Sequence, residues 1–123
     1  MKEIIYKELS YQIIGIAMEI HKELGYGFLE KVYENAFTVL LNSQNIKFEQ
    51  QKSIEIYFRK AMIGHYIADL VIDNKIILEL KAVTQIVDVH KAQLANYLKA
   101  TGIRLGIIIN FGKEALEFER VVL

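Results

Sequence analysis

One stretch, residues 66–83 (YIADLVIDNKIILELKAV), limits what this chain can fold into more than any other. Two apolar runs rich in β-branched residues, 67–72 and 76–80, flank the polar Asp73-Asn74-Lys75, which is the pattern of a β-hairpin. Three charges interrupt them: Asp69, Glu79 and Lys81. A charge in a half-buried strand is costly unless it is paired or binds something. A two-residue Asn74-Lys75 loop sets Asp73 opposite Ile76, hence Asp69 opposite Leu80, with the two acids on opposite faces. A three-residue loop, common as a type I turn followed by a left-handed residue, sets Ile72 opposite Ile76 and Asp69 opposite Glu79. Only that odd register, or a bulge, gathers Asp69, Glu79 and Lys81. Carboxylates directly opposite repel, so the arrangement calls for a cation, and a divalent metal with oxygen ligands suits it.

The remainder of the chain reads as one domain. At 123 residues it is long enough to bury a core, and 53% hydrophobic with 24% charged residues is the balance of an ordinary globular protein. The absence of cysteine removes disulfides and thiolate metal sites. No signal peptide is evident, since Lys2, Glu3, Lys7 and Glu8 break up the start, and no apolar run nears the ~20 residues of a membrane span. The default compartment is the cytoplasm, with no membrane partner. Fifteen basic and fifteen acidic residues cancel, which argues against an indiscriminate polyanion binder but not against local contacts beside an acidic site.

Periodicity orders the elements. Residues 10–24 form an amphipathic helix, with Ile13, Ile14, Ala17, Ile20 and Leu24 on one side, Ser10 placed to cap it and Gly25 to end it. Residues 1–9 either extend it or form an edge segment. A second helix over 29–42 carries Val32, Ala36, Val39 and Leu40 on its apolar side, and the two helices form a hairpin. A period-two strand spans 53–58, followed by the organising hairpin. Residues 88–100 return to helical period with Val89, Leu94 and Leu98. A buried strand at 105–109 and a last strand at 116–122 complete the order α-α-β-β-β-α-β-β. The unit 76–80, helix, 105–109 makes those two strands parallel, in a mixed central sheet flanked by helices, an α/β (α+β) architecture.

Two motifs sit on the helices. Glu30, Tyr33 and Glu34 share a helix face three and four residues apart, which by spacing alone fits a solvated acidic first turn. His90, Gln93 and Tyr97 share a face of the helix that follows the Glu79-Leu80-Lys81 strand, otherwise an ordinary polar face. His21 fits a buried, hydrogen-bonded residue better than a ligand, and His65 a structural or exposed one. Tyr57, Arg59 and Lys60 fit a plain loop face better than phosphate contacts.

Asp69, nine residues, then Glu79-Leu80-Lys81 resembles the core motif of the PD-(D/E)XK nuclease superfamily. Gly27-Phe28-Leu29-Glu30-Lys31-Val32-Tyr33 resembles the signature of the GxxExxY family within it, and Gln93-Leu94-Ala95-Asn96-Tyr97 its Gln-x-x-x-Tyr motif. The glycine usual after the Tyr57 strand is replaced near Lys60-Ala61. The resemblance implies the αβββαβ, restriction-endonuclease-like core that periodicity reaches independently. It implies a Mg²⁺ (or Mn²⁺) site formed by Asp69, Glu79, the Leu80 carbonyl and Glu30, with Lys81 acting on the attacking water. Gln93, Tyr97 and Tyr33 would contact substrate. The function implied is a metal-dependent nuclease acting on DNA or another nucleic acid, a reading compatible with a homodimer sharing one substrate. Its rival is a non-catalytic nucleic-acid or protein binding module that keeps the fold. A structural ion network is the weakest reading, because one lysine compensates two or three buried acids poorly.

Overall fold

Residues 5–123 are described by a computed structural model; the start of the segment 1–9, residues 1–4, lies outside them. Ile13, Ile16, Ala17 and Ile20 recur at three- and four-residue steps and form the buried stripe of α1 (Lys7–Leu24). The helix begins a turn before Ser10. Tyr6 occupies the left-handed region (φ 51°) and its carbonyl accepts the Ser10 N–H at 2.8 Å, so Ser10 is an interior helical residue and not the cap. Gly25 (φ 68°) ends α1 with its N–H on His21 O.

Helix α2 (Glu30–Ser43) is rotated from the expected setting. Its buried residues are Tyr33, Glu34, Phe37 and Leu41, whereas Val32 and Val39 are 40% and 66% exposed. Tyr33, Phe37 and Leu41 recur every four residues, and two aromatic rings offer more apolar area to the core than two valines do. Similarly, Leu94, Tyr97 and Leu98 are the buried residues of α3 (Asp88–Thr101), and Val89 faces outward.

Among the described residues, five strands form one sheet in sequence order: β1 (Phe48–Phe58), β2 (Ala61–Ile72), β3 (Ile76–Lys81), β4 (Leu105–Asn110) and β5 (Glu117–Val122). Strands β3 and β4 are parallel, joined through α3; the other neighbours are antiparallel. Both β1 and β2 start earlier than the apolar alternation shows. Their hairpin turns on Arg59 and Lys60, with φ of 49° and 71°, so the tip takes the left-handed pair of a tight hairpin without glycine.

The sheet divides two cores. Helices α1 and α2 cover the face carrying Leu70, Ile72, Leu78, Leu80, Ile107 and Ile109. Helix α3 covers the other, with Val71, Ile77 and Ile108. Along β2 the alternation of faces fails once: Ala68 packs on the α3 side with Val71, three residues away. The irregular residue is Asp69, and facing it across β1 is Gln51, whose φ is 53°. This kink is where the site is built.

Candidate functional site

The β2–β3 loop has the three-residue form. Asp73 and Asn74 have φ of 50° and 55°, the Lys75 N–H bonds to Ile72 O at 2.9 Å, and Ile72 pairs with Ile76. Pairing runs on through Val71↔Ile77 and Leu70↔Leu78, then stops one step before Asp69 and Glu79. There side chains replace the ladder. Asp69 Oδ2 accepts the Leu80 N–H at 2.8 Å, and Glu79 Oε1 accepts the Asp69 N–H at 3.3 Å. The strands fork, and the two carboxylates occupy the fork.

Burial makes this pair electrostatically costly. Glu79 is 6% exposed. Loss of water, and then the charge of Asp69, pushes its carboxyl up to about 9. Asp69 is raised as well, by burial first and then by the charge of Glu34, against the opposing pull of the Leu80 N–H. Burial and neighbouring negative charge thus oppose ionisation of both carboxyls, Glu79 buried and Asp69 half-buried, and a bound cation would relieve that cost.

Glu34 is the acid that the sequence pattern did not single out as a ligand. It is 4% exposed, and three donors hold it: Lys31 Nζ at 2.9 Å, Gln51 Nε2 at 2.9 Å and Gln50 Nε2. Consecutive residues of a regular strand point to opposite faces. The left-handed Gln51 allows both glutamines to reach one carboxylate. Thus the same kink that displaces Asp69 also fixes Glu34, whose charge acts on Asp69. Glu30, expected to join the acids, lies one turn earlier, exposed, in the wall of a cleft with Tyr26 and Ala82. Lys31 is bonded to Glu34.

The remaining candidates separate. Lys81 is half-buried, and its positive charge lowers both Asp69 and Glu79; it forms no salt bridge among the described residues. Tyr97 is 5% exposed and tilted against Tyr66 at 5.2 Å. Its phenol is raised by burial and then by the charges of Glu79 and Asp69, so it remains a hydrogen-bond donor beside them. Gln93 is exposed on the same helix, and His90 Nδ1 accepts the Val87 N–H at the helix start. Leu80 is engaged through its N–H; its carbonyl lies next in the chain to Lys81. Tyr33 is not available to substrate. It is fully buried, stacked on Phe111 at 4.5 Å, with its hydroxyl donating to Gly25 O at 2.7 Å and accepting the Phe28 N–H at 3.3 Å. His21 bonds to Lys113 O, and His65 to Ser53.

A second polar cluster fixes the segment leaving Lys81. Asn110, fully buried, accepts the N–H groups of Val83 and Gly112 and donates to Val83 O and Glu117 Oε1. Glu117 Oε1 also accepts the Ile86 N–H, and these bonds, Asn110 first, hold its carboxyl below the usual range. Gly112 has no alternative, because a Cβ there would collide with the Val83 backbone. The sequence hint was a lone asparagine ending an otherwise apolar strand.

Among the described residues no three His, Cys, Asp or Glu side chains are gathered closely enough to enclose an ion. The convergent pair nevertheless suits a hard divalent cation, because Mg²⁺ is commonly held by one or two carboxylates and completes its shell with water and phosphate oxygens. A cleft of about 630 Å³ lies apart from Asp69 and Glu79, between Asn42, Lys47, Asp73 and Asn74. No helix among the described residues is long and apolar enough to cross a membrane.

Comparison with known proteins bears on the family and the fold. A family model described as PD-(D/E)XK nuclease superfamily matches residues 7–121. A solved structure described as the crystal structure of SSO0001 superposes with a TM-score of 0.58 at 18% identity, covering 95% of this chain. The chain spans 57% of that protein's length, and at this identity the likeness is one of fold. No curated protein matches the sequence.

Proposed function

The chain belongs to the PD-(D/E)XK nuclease superfamily, and from that premise we propose that it hydrolyses phosphodiester bonds of nucleic acid with a divalent metal, Mg²⁺ or Mn²⁺. The observation that carries the reading is the fork between β2 and β3, where buried Glu79 and half-buried Asp69 face each other and each accepts a backbone N–H from the opposite strand. Such a pair is costly when empty and is relieved by a cation. Asp69 and Glu79 are the proposed metal ligands, with the Leu80 carbonyl beside them. Glu34 takes the third-carboxylate role that the family resemblance implied for Glu30, since it is Glu34 whose charge acts on Asp69.

A bound divalent cation lowers the pKa of water and offsets charge on the phosphate. The protein's own groups do the remaining work. Lys81 orients the attacking water or neutralises the developing negative charge. Tyr97, kept protonated by burial first and then by the charges of Glu79 and Asp69, donates to a phosphate oxygen or to a carboxylate, and Gln93, exposed on the same helix, contacts the substrate backbone. Gln50, Gln51 and Lys31 fix the orientation of Glu34.

The test is calorimetric titration of Mg²⁺ and Mn²⁺ into wild type and Glu79→Ala, with cleavage assayed on single-stranded, duplex and branched DNA and on RNA. Binding lost in the variant, together with cleavage by the wild type, is the expected result. Metal binding without any cleavage would leave the non-catalytic binding module as the better reading. No metal binding by the wild type would end the nuclease reading.

A further inference from the structure

We propose that the cleft between the 25–29 loop and Ala82 receives the base of an unpaired nucleotide, of DNA or RNA, adjoining the phosphate presented to the acids. The proposal rests on the nuclease reading and specifies the state of the nucleic acid on which it acts. The cleft measures about 520 Å³, and its walls include Tyr26, Phe28, Leu29, Glu30, Lys31 and Ala82. Tyr26, Phe28 and Leu29 are 61%, 48% and 81% exposed. Three large apolar side chains on so short a loop would bury one another if the backbone allowed it.

The backbone holds them apart. Gly27 has φ 116°, a conformation closed to other residues. The Tyr33 hydroxyl bridges Gly25 O and the Phe28 N–H across the loop. Tyr33 in turn stacks on Phe111, whose N–H bonds to Lys81 O at 2.8 Å. The aromatic loop is therefore tied through one ring pair to the strand end that carries Lys81. Two further residues join the cleft to the acid site: Ala82 follows Lys81, and Lys31 bonds to Glu34.

Exposed aromatic rings fixed beside a phosphodiester site suit a flat, π-faced ligand, and stacking a base on an aromatic side chain contributes ~1–3 kcal/mol. In a duplex the same faces are already stacked, so the cleft selects unpaired bases. Glu30 supplies an acceptor-only group at the wall, able to take an N–H from the exocyclic amine of cytosine, adenine or guanine, which thymine and uracil lack. Lys31 offsets its charge.

The experiment measures fluorescence anisotropy of the full chain with labelled 12-nucleotide oligomers in EDTA, so that nothing is cut. The probes are a mixed-sequence strand as DNA and as RNA, its duplex, and homopolymers of dC and dT. Single strands are expected to bind more tightly than the duplex. Combined Tyr26→Ala and Phe28→Ala should weaken single-strand binding about tenfold or more and leave duplex binding unchanged, while Tyr11→Ala on α1, 60% exposed, should change neither. Glu30→Leu, which has no acceptor, should abolish a preference for dC over dT. Equal losses on single strand and duplex, or no loss, overturn the proposal, as does a wild type that binds no single strand; an unchanged dC preference overturns the role of Glu30. Mg²⁺ calorimetry on the same proteins, freed of EDTA, separates the two failures. Metal binding intact with the aromatic variants silent removes the base cleft alone; aromatic-dependent binding without metal binding removes the nuclease reading alone.

Discussion

Glu79 is the residue at which the proposed metal site and the fold meet. Its carboxyl is raised to about 9 from an ordinary 4.5, so between those values the native chain holds a proton that the unfolded chain has released. Stability linked to this group must then fall as pH rises from about 4.5 to about 9, and level off above. One proton sets the limit on the slope, about 1.4 kcal/mol per pH unit. Urea midpoints measured without metal from pH 5 to pH 9 should decline in the wild type and flatten in Glu79→Gln. A wild-type midpoint that rises over this range would contradict the buried-pair picture. Of the proposed site residues, Asp69 and Glu79 were legible as a facing pair only in the three-residue-loop register, one of two that the sequence allowed, because loop length decides which side chains face each other. Glu34 was not. Its spacing fits a solvated helix turn, and its burial depends on Gln50 and Gln51, more than a dozen residues away and on a strand whose polar start hid it.

At the scale of elements, the apolar alternation revealed the centre of each strand and missed the ends. β1 opens with Phe48-Glu49-Gln50-Gln51-Lys52, which has no apolar face to read, yet it pairs with Leu70 and Ile72 because β2 needs a neighbour there. The rotation of α2 was hidden for a similar reason: valines at 32 and 39 satisfy helical spacing as well as Tyr33 and Phe37 do, and only Phe111 decides between them. The segment from Lys81 to α3 depends on Asn110, which meets two donors and two acceptors at once. Asn110→Ala leaves buried groups of Val83 and Gly112 without partners, at a cost of about 3 kcal/mol. Chemical denaturation should register that loss, and a change below about 0.5 kcal/mol would show that the clamp is dispensable.

For the whole molecule, a site that is unfavourable when empty makes ligand binding visible as stability. A cation that binds only the folded chain, at a hundred times its dissociation constant, adds ~2.7 kcal/mol, which raises the melting temperature by on the order of 10 °C in a domain of this size. Differential scanning calorimetry with and without Mg²⁺ should show the rise in the wild type and in Lys81→Ala, and not in Asp69→Asn. Without metal, Asp69→Asn should melt above the wild type, since asparagine keeps an acceptor for the Leu80 N–H and removes a charge. A metal-dependent rise retained in Asp69→Asn would place the cation elsewhere.

Asp69 also serves as a rung of the sheet, since its carboxylate takes the Leu80 N–H where the backbone ladder between β2 and β3 has ended. The seam and the proposed metal site therefore share a residue. A lineage that lost its reaction would still be selected to keep an acceptor at this position, so an aspartate here testifies to the integrity of the sheet as much as to turnover. Lys81 forms no salt bridge among the described residues and has no such second employment. Drift away from activity would leave its first mark there.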